Sequence, residues 1–238
     1  MIKTKHSQAA HLIFKTYLKR LFRKHFHSLR LLCEIPEIAD NHSVLVLANH
    51  STWWDGFFFY LFNHYTFRRT PYVMMLESQL LENYFFRRVG AYSINPERAL
   101  ENLISLKYTV TLCHSPAHPV ICIFPQGELL PWDADGLAYK RGIEILLKKI
   151  NKPVHLCQTG FRCEFTEHQF PDVFIDLKTE LLAPQRMPSL KKLENNHKDL
   201  LKKMQSKIRT GNYGRVLLQG KRSINEKYSD FRRKWKIR

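Results

Sequence analysis

The chain has 238 residues, 44% hydrophobic and 13% aromatic, enough to bury one substantial core. Its 38 Lys and Arg against 21 Asp and Glu give a net charge of +17, a field that attracts polyanions such as nucleic acid, an anionic bilayer or a phosphorylated substrate. Cysteines at 33, 113, 122, 157 and 163 form no CxxC and no zinc-finger spacing with histidine, which argues against a disulfide framework and for free thiols in a reducing cytoplasm.

Residues 9–32 predict a basic amphipathic helix stopped by Pro36. Leu12, Phe14, Leu18, Leu21, Phe22, Phe26, Leu29 and Leu32 recur near helical spacing, with Lys15, Lys19, Arg20, Arg23, Lys24 and Arg30 between them. Such a helix either packs on the core or lies at a membrane interface, and both can hold along different parts of it. Residues 1–36 are therefore read as a basic membrane-interface segment and 37–238 as a single domain. No apolar run approaches the roughly 18 residues of a membrane span, and no signal-peptide pattern opens the chain.

Val44–Ala48 predicts a buried strand, followed by an aromatic helix from Trp53 to Phe62. Residues 71–76 predict a strand, 77–89 a helix ending at Gly90, 91–94 a short strand, and Pro96–Leu112 a helix with proline in its first turn. Val120–Phe124 is a strand, Gly136–Ile150 contains a helix, and Val154–Thr159 and Phe174–Leu177 are further strands. Residues 190–209 form a lysine-rich amphipathic helix, and the tail from Gly220 to Arg238 is basic, with Tyr228, Phe231 and Trp235 interleaved. Strands alternating with helices predict an α/β fold: a mixed β-sheet sandwiched by helices, with an N-terminal amphipathic helical segment.

Two strand exits carry polar chemistry. After the first strand come Asn49-His50-Ser51-Thr52-Trp53-Trp54-Asp55, a histidine and an aspartate with four residues between them. If a helix starts near Thr52, Asp55 can turn back to the His50 ring, and an imidazole so held can take a proton from a hydroxyl. After a later strand comes Phe124-Pro125-Gln126-Gly127-Glu128, a tight turn where glycine permits close backbone approach and exposed amides can hold an anion.

Together the two blocks resemble the glycerolipid acyltransferase family, whose best-known members acylate lysophosphatidic acid or glycerol 3-phosphate. Gly90-Ala91-Tyr92-Ser93-Ile94 is similar to the family's second block, Tyr139-Lys140-Arg141-Gly142 to its basic-Gly segment, and Lys152-Pro153-Val154 to its fourth block. The third block departs from the usual Phe-Pro-Glu-Gly-Thr-Arg: Gln126 replaces a glutamate, Glu128 is new, and Leu129 stands for the arginine. In the second block Pro96 occupies the usual arginine position, with Arg98 nearby but not equivalent. Two cations credited in the family with holding the acceptor phosphate are thus missing.

The resemblance implies His50 and Asp55 as the catalytic pair, and Asn49, Gln126, Gly127, Glu128, Lys140 and Arg141 around the acceptor. Lys140 and Arg141 either replace the lost charge, or the acceptor carries no phosphate: a lysophospholipid, a glycolipid or a hydroxylated isoprenoid. Trp53, Trp54 and Phe57, with Phe58, Phe59 and Tyr60, either support the catalytic loop or line an acyl-chain tunnel. The implied reaction needs no metal and no cofactor beyond acyl-CoA or acyl-carrier protein as co-substrate, with an oxyanion held by amides near Gly127 or the His50 loop. The expected partners are an anionic membrane surface, a lipid acceptor and acyl carrier protein, with the protein peripheral or monotopic on the cytoplasmic face and without nucleic acid. Two rivals remain: a catalytically inactive membrane-binding relative, and a basic nucleic-acid-binding protein.

Overall fold

The computed structural model describes residues 1–132, 137–226 and 228. Its elements in chain order are α1 (Gln8–His25), β1 (Ser28–Leu31), β2 (Val44–Ala48), α2 (Asp55–Tyr65), β3 (Pro71–Leu76), α3 (Glu77–Glu82), a 3-10 turn (Tyr84–Val89), β4 (Ala91–Ile94), α4 (Ala99–Cys113), β5 (Val120–Ile123), α5 (Gly142–Lys149), β6 (Val154–Glu164), β7 (Asp172–Leu182), α6 (Leu190–Arg209) and β8 (Arg215–Gln219).

The eight strands form one sheet in the order β4-β3-β5-β2-β6-β7-β1-β8. β6 pairs with β7, and β1 with β8, antiparallel; the other neighbours are parallel. β2 and β5 are buried at every position, as strands covered on both faces must be. Their side chains alternate between two cores. Val44, Val46, Ala48, Val120 and Cys122 join the aromatic residues of α1 and α2, whereas Leu45, Leu47, Ile121 and Ile123 meet α4 and α5. The fold is the mixed, helix-sandwiched sheet expected from the alternation of strands and helices.

Helix α1 is part of this body. Ser7 caps it through Oγ to the Ala10 amide, and Phe14, Leu18 and Phe22 are at most 5% exposed against the sheet. Burying three such side chains contributes roughly 5–9 kcal/mol as an upper estimate. The same helix leaves Leu12, Ile13 and Tyr17 more than half exposed. Among the described residues no helix is long and apolar enough to cross a membrane.

The helix expected over 9–32 is corrected at its end. It stops at His25, Phe26 turns to extended backbone, and Ser28–Leu31 becomes β1, wedged between β7 and β8. Leu29 and Leu31 both enter the core, a two-residue period that overrides the helical spacing of Leu29 and Leu32. The helix expected from Pro96 begins three residues later, because Asn95 folds the chain into a turn: its carbonyl accepts from the Arg98 amide and its side chain from Glu97. Residues 77–89 divide into α3 and the 3-10 turn. That turn ends at Gly90, where φ is +118° and a Cβ would stand 2.2 Å from the Pro71 carbonyl oxygen, so only glycine fits. β6 and β7 run well beyond the segments expected for them, and β8 is an additional edge strand. Gly136, Phe231 and Trp235 lie outside the described residues.

Candidate active site

The register of β2 on β5 assembles the site. Leu47 pairs with Ile123, so the loops leaving both strands emerge side by side at the same edge. In parallel sheets this carboxyl-terminal edge is where ligands bind. Two residues 76 positions apart then meet: the His50 backbone amide donates to Gln126 Oε1 at 2.6 Å. On the other side of β2, Asn49 clamps the strand end to β6. Its Oδ1 accepts from the Phe161 amide (2.7 Å), and its Nδ2 donates to the Phe161 carbonyl (3.0 Å) and to Ser51 Oγ (3.2 Å).

Between these anchors stands His50, with Asp55 as the first residue of α2. Asp55 is 0% exposed yet fully satisfied. Its Oδ2 accepts from His50 Nδ1 (2.9 Å) and from the amides of Ser51 (2.7 Å) and Thr52 (2.8 Å), while Oδ1 accepts from Thr52 Oγ1 (2.8 Å). A buried carboxylate is tolerated when charge-assisted bonds and a helix N-terminus compensate for lost water, and both are present here. The His50 ring also stacks on Phe124, centroids 4.3 Å apart and 21° from parallel. Since a carboxylate only accepts, Nδ1 carries the proton that is donated to Asp55, and in the neutral ring Nε2 is the acceptor. Among the described residues Nε2 has no hydrogen-bond partner.

His50 forms part of the wall of a cavity of about 840 Å³. The wall is mainly apolar and comes from α1 (Phe14), α2 (Phe57, Tyr60), β3 (Val73 to Leu76), the 3-10 turn (Phe86) and β5 with the loop after it (Ile123 to Pro125). Gly127, Glu128 and Lys140 lie in this wall as well. Gly127 takes φ +71°, the left-handed conformation that turns the chain back over the cavity. Lys140 Nζ and Glu128 Oε1 form an ion pair at 2.9 Å, both largely solvent-facing.

The residues expected around the acceptor therefore separate into two groups. Gly127, Glu128 and Lys140 face the cavity, but Asn49 and Gln126 do not; their amides are engaged by the scaffold and hold the His50 loop. Arg141 is exposed at the start of α5 and outside the cavity wall. Of the aromatic residues, Trp53, Phe57 and Tyr60 line the cavity, while Trp54 packs edge-on against Phe26 (4.9 Å) and Phe58 and Phe59 belong to the core. Sequence reasoning missed Phe14, Met74, Met75 and Phe86. These come from elements far apart in the chain, and only the tertiary fold converges them.

Residues 30–158, more than half of the chain, match the family model described as Acyltransferase. The chain belongs to the acyltransferase family. The matched span of this acyltransferase includes the His50–Asp55 pair, both strand exits and the whole ion pair of Lys140 with Glu128. A solved structure of similar fold is the 1-acyl-sn-glycerophosphate (LPA) acyltransferase PlsC from Thermotoga maritima, with a TM-score of 0.53 and 17% identity over 81% of this chain and 77% of that chain. At that identity the likeness is one of fold. A comparison with curated proteins finds no match.

Pro96 and Leu129, the two positions where the sequence resemblance led to an expectation of cations, both lie in the cavity wall. Among the described residues of the wall the charged side chains are Glu82, Glu128 and Lys140, and the lysine is already paired.

Proposed function

We propose that this acyltransferase moves a fatty acyl group from acyl-CoA or acyl-carrier protein to the hydroxyl of a membrane lipid alcohol that carries no phosphate monoester. The reading rests above all on one observation: a buried, four-fold bonded Asp55 fixes His50 with Nε2 free on an apolar cavity.

In this mechanism the acceptor O–H gives its proton to His50 Nε2 as the oxygen attacks the thioester carbonyl. Asp55 stabilises the imidazolium that forms. The tetrahedral oxyanion needs donors. The amides of His50, Ser51, Thr52 and Gly127 are already engaged, which leaves those of Trp53, Glu128 and Leu129 as the nearby donors at the cavity wall. Collapse of the intermediate breaks the C–S bond, and the departing thiolate recovers the proton from His50. The products are an ester and a free thiol.

The acceptor assignment follows from charge. A phosphate monoester needs cations, and a wall holding two carboxylates and one paired lysine disfavours it. Glu128 can instead accept a hydrogen bond from a hydroxyl. The aromatic and methionine wall suits an acyl chain.

The exposed apolar groups beside the cavity support the same reading. Leu12, Ile13 and Tyr17 on α1, Leu81, Tyr84 and Phe85 around the 3-10 turn, and Leu100, Leu103 and Ile104 on α4 are exposed apolar groups next to residues of the cavity wall. With a net charge of +17, this surface is suited to an anionic bilayer. Incubating the protein with acyl-CoA and a mixed lipid extract, with mass spectrometry of the products, tests the proposal. Acyl esters lacking a phosphate monoester are expected; acylation confined to lysophosphatidic acid or glycerol 3-phosphate contradicts the acceptor assignment. Pelleting with anionic vesicles is expected to weaken with salt and with Leu12→Ser/Ile13→Ser, and insensitivity to both contradicts the docking face.

A further inference from the structure

The turn that carries Glu128 to the cavity is backed by a buried hydrogen-bond chain that no step of the acyl transfer uses. Tyr139, Gln158, Thr159 and His197 are each at most 6% exposed. The Tyr139 hydroxyl lies 2.7 Å from His197 Nδ1, and Gln158 Nε2 donates to the Tyr139 oxygen at 3.1 Å and to the Leu193 carbonyl at 2.7 Å. His197 Nε2 is 3.0 Å from the Thr159 carbonyl oxygen. A carbonyl only accepts, so in the neutral ring Nε2 carries the proton and Nδ1 accepts from the Tyr139 O–H. Each bond in the chain then has one direction.

Both ends of the chain reach the site. The Thr159 carbonyl also accepts from the amide of Asn49 (3.4 Å), the residue before His50. Tyr139 precedes Lys140, whose amide donates to the Pro125 carbonyl at 2.8 Å and whose Nζ pairs with Glu128 at 2.9 Å. The Lys140 side chain lies across Gly127, where a Cβ would stand 3.4 Å from its Cγ and Cε. A further bond, from the Tyr139 amide to Glu194 Oε1 at 2.8 Å, fastens the same segment to α6. The Lys140 and Glu128 side chains are themselves more than half exposed, and an exposed ion pair fixes its partners only weakly. Their order has to come from the buried residue beside them.

We propose that Tyr139 and His197 are positioning residues for the acceptor: the chain from α6 sets Lys140 on the 124–128 turn, and Lys140 holds Glu128 where it receives the acceptor hydroxyl. This role presupposes the acyl-transfer reading of the same site, and it gives α6, which lies beyond the matched family span, a part in acceptor selection. Neither residue touches substrate; both act through Lys140.

Two substitutions of one ring separate its two bonds. In His197→Asn the amide oxygen takes the place of Nδ1 and still receives the Tyr139 hydroxyl. In His197→Gln the amide N–H takes the place of Nε2 and still reaches Thr159, while the Tyr139 bond is lost. The full chain and its Tyr139→Phe, His197→Asn and His197→Gln variants are assayed for thiol release from acyl-CoA, with monoacylglycerol as the acceptor probe, below the thermal midpoint of each. Tyr139→Phe and His197→Gln should raise the acceptor KM about ten-fold, near the upper worth of one hydrogen bond, with kcat changed less than about two-fold. His197→Asn should keep both constants within about two-fold of the parent. Unchanged KM values with lowered thermal midpoints, or equal rises in the Asn and Gln variants, overturn the proposal.

Trace acetylation with acetic anhydride, read by peptide mass spectrometry, follows Lys140 without turnover. Lys148, in a comparable ion pair with Glu144 on α5, is the internal reference. The Lys140 to Lys148 labelling ratio should rise at least about two-fold in Tyr139→Phe and His197→Gln and stay at the parent's value in His197→Asn. A parent that releases no thiol with monoacylglycerol or the mixed lipid extract counts against the acyl-transfer reading alone. The labelling ratio still decides the positioning, and a ratio unchanged in Tyr139→Phe and His197→Gln overturns it.

Discussion

Replacing Asp55 by Asn removes a charge while keeping the shape. The amide oxygen can still take the place of Oδ2 and receive the His50, Ser51 and Thr52 N–H groups, and the amide nitrogen can face Thr52 Oγ1. Three charge-assisted bonds become neutral ones, which costs about 3 kcal/mol of stability at roughly 1 kcal/mol each. The catalytic cost is separate, because it arises only when His50 becomes an imidazolium. Opposite charges about 4 Å apart interact with about 4 kcal/mol at an effective dielectric near 20. That corresponds to a loss of about 10³-fold in kcat, with KM changed little. The assay is thiol release from the acyl donor under single-turnover conditions, alongside near-ultraviolet circular dichroism to verify packing. A folded Asp55→Asn enzyme within about ten-fold of the parent rate would refute the reasoning.

Leu129→Arg returns a cation to the cavity wall and is expected to raise activity toward phosphate-bearing acceptors relative to phosphate-free ones; an unchanged ratio in a competition assay contradicts the charge argument. Phe57→Trp narrows the cavity and Phe57→Ala widens it, so the preferred acyl length should shorten and lengthen respectively; altered stability with unchanged chain preference contradicts the lining role. His197 is fully buried, and desolvation lowers its imidazole to about 4 from an ordinary value near 6.5. The unfolded chain then binds a proton that the folded one refuses, so this contribution is complete above pH 6.5 and is lost as pH falls toward 4, by about 3 kcal/mol. Urea unfolding across that window should show a steeper fall for the parent than for His197→Gln, and equal slopes contradict the assignment.

What could be read from the sequence follows physical range. β2 and β3 have the expected bounds, because a short apolar run edged by polar residues has few other solutions. The His50–Asp55 pair was legible because the contact is local, one helical turn across a strand exit. β1 was not: four residues following a helical pattern carry both periods, and the partner that decides between them, β7, lies far along the chain. Asn49 and Gln126 looked like substrate contacts because polar residues beside a catalytic histidine usually invite that reading. The sheet register instead points their amides at backbone groups that have to be satisfied.

The central claim is that His50 takes the proton from the acceptor hydroxyl. It is tested most directly by His50→Ala, assayed for acyl-ester formation and thiol release with the acceptor found in the lipid screen, with the fold verified independently. The account predicts a loss of at least about 10²–10⁴-fold in the chemical step. A folded His50→Ala protein that transfers acyl groups within a few-fold of the parent rate would contradict it.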